Sequence, residues 1–177
     1  VKEKRIPSRQ ARVAILGLGN LLLGDEGVGV HAVHLLMSRL ADLYEIKVID
    51  GGTSPDLCSL LNEKLDKLII LDAVNGDKPP GTIYRLCIND VDLSSGHAFS
   101  LHEIGLIENI RQLELSGRRP REIVIIGMEP QTIDWNLELS KTTKNRLSEM
   151  VELAIREAKG LTNNMSSEVH INQELEV

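Results

Sequence analysis

The chain has 177 residues, 42% hydrophobic and 26% charged, with a formal net charge of −6. That length buries one proper core, and the proportions are those of a soluble globular domain. The acidic balance argues against a nucleic-acid backbone as ligand and favours a cation or a basic segment; with Tyr44, Tyr84, Phe99 and Trp135 as the only aromatics, base-stacking surfaces are nearly absent.

Cys58 and Cys87 stand far apart and form no C-x-x-C. Two isolated thiols without a signal peptide point to a reducing cytoplasm, with both expected to be buried apolar side chains. No apolar run approaches the ~18 residues of a membrane span. Val1 to Arg12 is basic but is followed by no apolar h-region, so residues 1–11 read as a flexible extension. Residues 161–177 are polar, acidic and aperiodic and read as a disordered tail. One α/β domain is expected over 12–160.

Arg12-Val13-Ala14-Ile15-Leu16 is a short apolar run stopped by glycines, the pattern of a buried strand. Val28, Val33, Leu36, Leu40 and Leu43 recur at helical spacing and predict a helix over roughly 27–43. Lys47-Val48-Ile49 predicts a second strand, ended by Asp50-Gly51-Gly52. Ser54-Pro55-Asp56 has the order of a helix N-cap with Pro at the first helical position, opening a short helix through Leu57, Leu60 and Leu61.

Lys67 to Asp72 is the most strand-like stretch, apolar on both faces and ending in a carboxylate. A loop over Asn75 to Pro80 leads to Thr82-Ile83-Tyr84-Arg85-Leu86, whose alternation suits an edge strand. Ser100-Leu101-His102-Glu103 has capping-box spacing and opens a helix through Ile104, Ile107, Ile110 and Leu113. Glu122 to Gly127 is a fifth strand. Leu147, Met150, Val151, Ala154, Ile155 and Ala158 mark a long amphipathic helix that ends at Lys159-Gly160. Strands alternating with helices predict a three-layer α/β/α sandwich around a mostly parallel sheet.

Ligands of such sheets sit beyond the carboxyl ends of the strands. There the sequence places Asp25 and Glu26 after strand one, Asp50 and Asp72 at the ends of strands two and three, and His102 at the head of a helix. Gly17-Leu18-Gly19 begins like a dinucleotide fingerprint, but its third glycine is replaced by Leu22. Asp25 and Glu26 would also oppose a pyrophosphate at the helix N-terminus. Glu26, Asp72 and His102 instead form a set of two carboxylates and one imidazole, suited to a divalent transition ion. The positive end of the helix dipole favours neutral, coordinating imidazole at His102. Plainer roles stand beside these: Asp25 as a helix N-cap, and Asp50 and Asp72 as acceptors for loop N–H groups. His31 and His34 read as surface or packing residues, His97 as a weak second ligand candidate, and His170 as part of the tail.

Gly17-Leu18-Gly19-Asn20-Leu21-Leu22-Leu23-Gly24-Asp25-Glu26-Gly27-Val28-Gly29 closely resembles the opening signature of the nickel–iron hydrogenase maturation endopeptidases. The resemblance continues through Asp50-Gly51-Gly52-Thr53, Ile70-Leu71-Asp72-Ala73, Pro80-Gly81-Thr82 and Ser100 to Leu106. It implies a twisted five-stranded sheet between helices, and an enzyme that removes a short C-terminal extension from the precursor of the hydrogenase large subunit. It further implies that nickel carried by the substrate is the recognition element, and that the metal-contacting and catalytic positions fall on Glu26, Asp72 and His102. Glu26 stands where many relatives have Asp. The ion could polarise the scissile carbonyl, activate water, or only register the peptide. The expected partner is the precursor, with no nucleic acid and no membrane, and the expected assembly a monomer or small homo-oligomer. A non-catalytic, nickel-dependent assembly factor is the alternative reading. Substrate choice would lie in loops such as Asn75 to Pro80 and Asp90 to Phe99.

Overall fold

The structure, a computed structural model, describes residues 12–39, 46–53, 56–61, 64–88 and 103–160. Five strands form one sheet: β1 (Val13–Leu18), β2 (Ile46–Gly52), β3 (Lys67–Ala73), β4 (Ile83–Cys87) and β5 (Glu122–Met128). Their order is β2-β1-β3-β5-β4, parallel throughout except for β4, which runs antiparallel to β5 at one edge. The helices are α1 (Val28–Arg39), α2 (Leu57–Leu60), α3 (Glu103–Leu115) and α4 (Lys141–Ala158), with a 3-10 turn over Gly24–Gly27 leading into α1. This is the expected three-layer architecture.

The apolar strand runs follow from position. β1 and β3 are buried along both faces, so alternate residues serve different cores. Ile15, Ile69, Leu71 and Ile126 pack against α1 and α4. Ala14, Leu16, Leu68 and Ile70 pack with Leu57 and Leu61 beside α2 and with Leu106, Ile110 and Leu113 of α3. The outer strands β2 and β4 are only partly covered, which explains the polar residues interleaved in them.

Several boundaries differ from the sequence expectation. Asp50 does not end β2 but lies inside it, paired with Gly17. The strand continues over a register shift to Gly52, whose partner is Leu18. The N-cap of α2 is Asp56 itself, whose carboxylate accepts the Ser59 N–H at 3.2 Å; Ser54 and Pro55 lie outside the described residues. Both cysteines are half-buried rather than buried, because Cys58 sits on the short α2 and Cys87 ends the edge strand β4. The expected continuation of α1 to residue 43, the cap at Ser100, and both terminal extensions lie outside the described residues. Among the described residues no helix is long and apolar enough to cross a membrane.

The amino edge of the parallel strands is closed by ions. Glu157 of α4 is fully buried and bonds Lys67 at the start of β3 at 2.6 Å. Arg85 of β4 reaches the same carboxylate from Nε at 2.7 Å and from Nη2 at 3.1 Å, and that hydrogen bond holds the guanidinium's proton more firmly than usual. Two cations around one desolvated carboxylate fasten α4 to two strands. Removing the carboxylate leaves both cations with only the half-exposed Glu122, which Lys67 reaches at 3.1 Å and Arg85 at 3.9 Å. Glu157→Ala is therefore expected to lower unfolding stability by about 3–5 kcal/mol in denaturant titration, while Glu152→Ala on the exposed face of α4 should change it by less than about 1 kcal/mol.

Candidate functional site

The opposite, carboxyl edge of the sheet is built around close backbone contacts. A Cβ on Gly17 would strike the carbonyl of Gly29 and the Val33 side chain, and a Cβ on Gly29 would strike the carbonyls of Leu71 and Leu18. Helix α1 thus starts against β1 and β3 with no room for side chains between them. Gly19 has φ +140, and a Cβ there would strike the Glu26 carbonyl. The paired glycines are a packing device, not a phosphate cradle. Asn20 ties the same turn, its Oδ1 accepting the Leu22 N–H at 3.0 Å and its carbonyl the Leu23 N–H at 3.0 Å.

This packing buries both carboxylates of the 3-10 turn, and they do different things. Asp25, fully buried, is neither a helix cap nor exposed toward a ligand. Its Oδ1 accepts the Ser140 N–H at 2.7 Å, and its Oδ2 accepts those of Gln131 at 2.8 Å and Thr132 at 3.3 Å. It therefore gathers the irregular segment 129–140, which joins β5 to α4. Glu26 is 4% exposed and accepts the backbone N–H of Asn20 on its Oε2. The turn that carries it packs against β3.

Asp72, near the end of β3, is 2% exposed and accepts the Ala73 N–H at 2.8 Å. Strand alternation puts it on the face of Leu68 and Ile70, which α3 covers. Along that face Asn109 of α3 accepts the Leu57 N–H, and Arg118 beyond its end donates to the Leu61 carbonyl. The helix therefore descends from the carboxyl edge toward the start of β5. Its first residue, Glu103, follows His102 in the sequence; His102 itself, like His97 and His170, lies outside the described residues. Among the described residues no three His, Cys, Asp or Glu side chains form a metal-holding group. At this edge the structure buries Glu26 and Asp72, carboxylates of the oxygen-donor kind that suits a divalent ion.

Other sequence candidates have different roles. Asp50 accepts the Gly52 N–H at 3.0 Å and pairs with His34 Nε2 at 2.8 Å, both groups half-exposed. His34 thus has an acidic partner from β2 that its own helix did not offer. His31 is partly buried, its Nε2 has no hydrogen-bond partner, and burial foremost, then the charges of His34 and Lys144, holds its pKa below the usual range.

Glu129 escaped the sequence reading although it follows β5 as Asp72 follows most of β3, so the strand-end rule itself could have found it. It is buried and accepts the Tyr84 hydroxyl and the N–H groups of Gly76 at 2.8 Å and Lys78 at 3.4 Å. Burial, then that carboxylate, pushes the Tyr84 hydroxyl pKa up. Glu129 fixes the loop over residues 75–80 much as Asp25 fixes 129–140.

A family profile described as hydrogenase maturation protease matches residues 30–157, a span that includes Asp72 and His102 and begins just past Glu26. The hydrogenase expression/formation protein HupD of Bradyrhizobium diazoefficiens is 33% identical over 149 residues, which is 83% of this chain and 78% of that protein. The hydrogenase 2 maturation protease of Escherichia coli is 31% identical over 153 residues, 83% of this chain and 92% of its own length. Among solved structures, the hydrogenase maturating endopeptidase HybD of E. coli superposes with a TM-score of 0.73 at 26% identity, covering 85% of this chain and 94% of that one. HybD of Thermococcus kodakarensis gives 0.72 at 28% identity, covering 83% and 99%.

The three bonds to Asp25 carry a direct expectation. Asp25→Ala should expose the amides of Gln131, Thr132 and Ser140 to faster hydrogen exchange and cost roughly 2–4 kcal/mol, since charge-assisted bonds contribute about 1.5–3 kcal/mol each and water recovers part of the loss. Unchanged exchange at those three amides would contradict the assigned role.

Proposed function

The chain belongs to the hydrogenase maturation protease family, and we propose that it is an endopeptidase that removes the C-terminal extension from the nickel-loaded precursor of a nickel–iron hydrogenase large subunit. The observation that carries this finer reading is the burial of Glu26 and Asp72 at one edge of the sheet, on the strand ends and turn that the close-packed glycines hold in place. His102, immediately before α3, is the third member of the set.

A desolvated carboxylate attracts a cation more strongly than it would in water. A divalent ion delivered by the substrate meets Glu26 and Asp72 in this way, and a precursor lacking it does not. Affinity for the loaded precursor then comes from the ion as well as from the peptide, which makes nickel a licence for processing. Two carboxylates and one imidazole are donors that a late first-row ion accepts, and they leave positions for the ligands the precursor itself supplies. In this reading Glu26, Asp72 and His102 dock the ion and so register the scissile bond. Hydrolysis adds one water across that peptide bond, leaving a new C-terminal carboxylate on the subunit and a free amine on the released peptide. Holding the bond in place is itself a large part of catalysis.

Support also comes from how firmly the surroundings are fixed. The turn bearing Glu26 is held by Asn20, and the loops flanking it are held by Asp25 and Glu129, so the edge is pre-organised.

Mass spectrometry of precursor incubated with the purified protein tests the reading. The nickel-loaded precursor should lose its extension and the nickel-free form should not; equal cleavage of both would contradict licensing. Metal-dependent binding without any shortening would make the protein a non-catalytic assembly factor. His102→Ala should abolish shortening while leaving the melting temperature unchanged, and full activity in that variant would remove His102 from the site.

A further inference from the structure

Six large hydrophobic side chains are exposed among the described residues, and four of them lie on two stretches bonded to each other beside the candidate site. They are Leu22 at 47%, Ile133 at 45%, Trp135 at 80% and Leu137 at 68% exposure. Leu22 precedes the turn that carries Asp25 and Glu26; the other three lie in the segment that Asp25 gathers. The two stretches are zipped by backbone bonds: Asn136 donates to the Leu22 carbonyl at 3.0 Å, Gly24 to the Asn136 carbonyl at 2.8 Å, and Asp25 to the Thr132 carbonyl at 3.3 Å. Asn136 Oδ1 further accepts the Glu138 N–H at 3.0 Å. An irregular segment tied down by these backbone bonds, yet presenting its large apolar side chains to water, is ordered in advance for a partner.

From this geometry we propose that Leu22, Ile133, Trp135 and Leu137 form the docking surface for an apolar, cation-bearing segment of the large-subunit precursor; the assignment rests on the protease reading above. Charge and continuity select that occupant. Between residues 129 and 140 there is no Lys or Arg, while the exposed acids Asp134 and Glu138 flank Trp135 and Leu137. An exposed indole face also attracts Arg or Lys, and Trp is the side chain most often found to anchor interfaces. The patch adjoins the turn of Glu26 through the bonds already named, so a chain seated there leads into the carboxyl edge. Met37 and Leu115, the other two exposed hydrophobics, lie on α1 and at the end of α3 and join no such patch.

Trp135 is the only tryptophan, so protein labelled with 5-fluorotryptophan gives a single fluorine resonance. Adding unlabelled nickel-loaded precursor should shift it. In cleavage assays, Trp135→Ser and Leu137→Ser should each lower kcat/KM about tenfold or more, through KM. Glu138→Lys should raise KM as well, whereas Leu115→Ser should match the unsubstituted protein; melting temperatures establish that every variant is folded. If the unsubstituted protein shortens the precursor but the resonance stays still and the patch variants retain their KM, the docking surface is overturned and the protease reading survives. A resonance that moves with the protein's own concentration, without precursor, assigns the patch to a second copy and overturns the proposal. Failure of the unsubstituted protein to shorten the precursor at all removes the protease reading and this proposal with it.

Discussion

The start of helix α1 lies so close to two strands that Gly17 and Gly29 meet backbone to backbone, and the carboxyl edge of the sheet depends on that contact. With no side chain to hold them apart, the helix is drawn in against Leu18 and Leu71. The turn before it must then be buried too, although it carries adjacent acids. An alanine at either glycine would put a methyl group where a carbonyl oxygen already sits. Burying Asp25 and Glu26 is thus a consequence of backbone packing, and each acid needs a use that offsets its desolvation.

The molecule resolves its buried acids in two ways. At the amino edge Glu157 is matched by Lys67 and Arg85, a closed arrangement that fastens α4 to β3 and β4. At the carboxyl edge Asp25 and Glu129 are matched by backbone N–H groups, and in Glu129's case also by the Tyr84 hydroxyl. These bonds order two loops without adding a cation next to Glu26 and Asp72. Under the proposed nickel-docking role such loop anchors would be an advantage, because lysines or arginines in the same places would compete with the ion for the carboxylates. The two edges use the same residue type with different partners.

Much of this was legible in the sequence, and what was not has a common cause. The five strands and the longer helices follow from local apolar patterning, so they were found to within a few residues. Glu26 and Asp72 were singled out because acids at strand ends of a parallel sheet share one edge, and both lie there buried. Asp25, Glu129 and Glu157 took their roles from partners 45 to 115 residues away, and no periodicity records such pairings. The same holds for His34, whose acid comes from β2, and for Asp50, which sits within its strand because two glycines let the chain continue over a register shift. The cysteines were misjudged from residue type alone, when position on a short helix and at the end of an edge strand leaves them half-covered. Segment 129–140 has neither helical nor strand patterning; its order comes from Asp25 and from the backbone bonds to residues 22–25.

Whether the carboxyl edge takes hold of the substrate's nickel is best read at the ion itself. X-ray absorption at the nickel edge can be compared for loaded precursor alone and for its complex with the protein, frozen before cleavage. The account predicts added oxygen and nitrogen scatterers on complex formation, with the oxygen contribution reduced in Asp72→Ala and in Glu26→Ala. A nickel environment that is the same with and without the bound protein would contradict it.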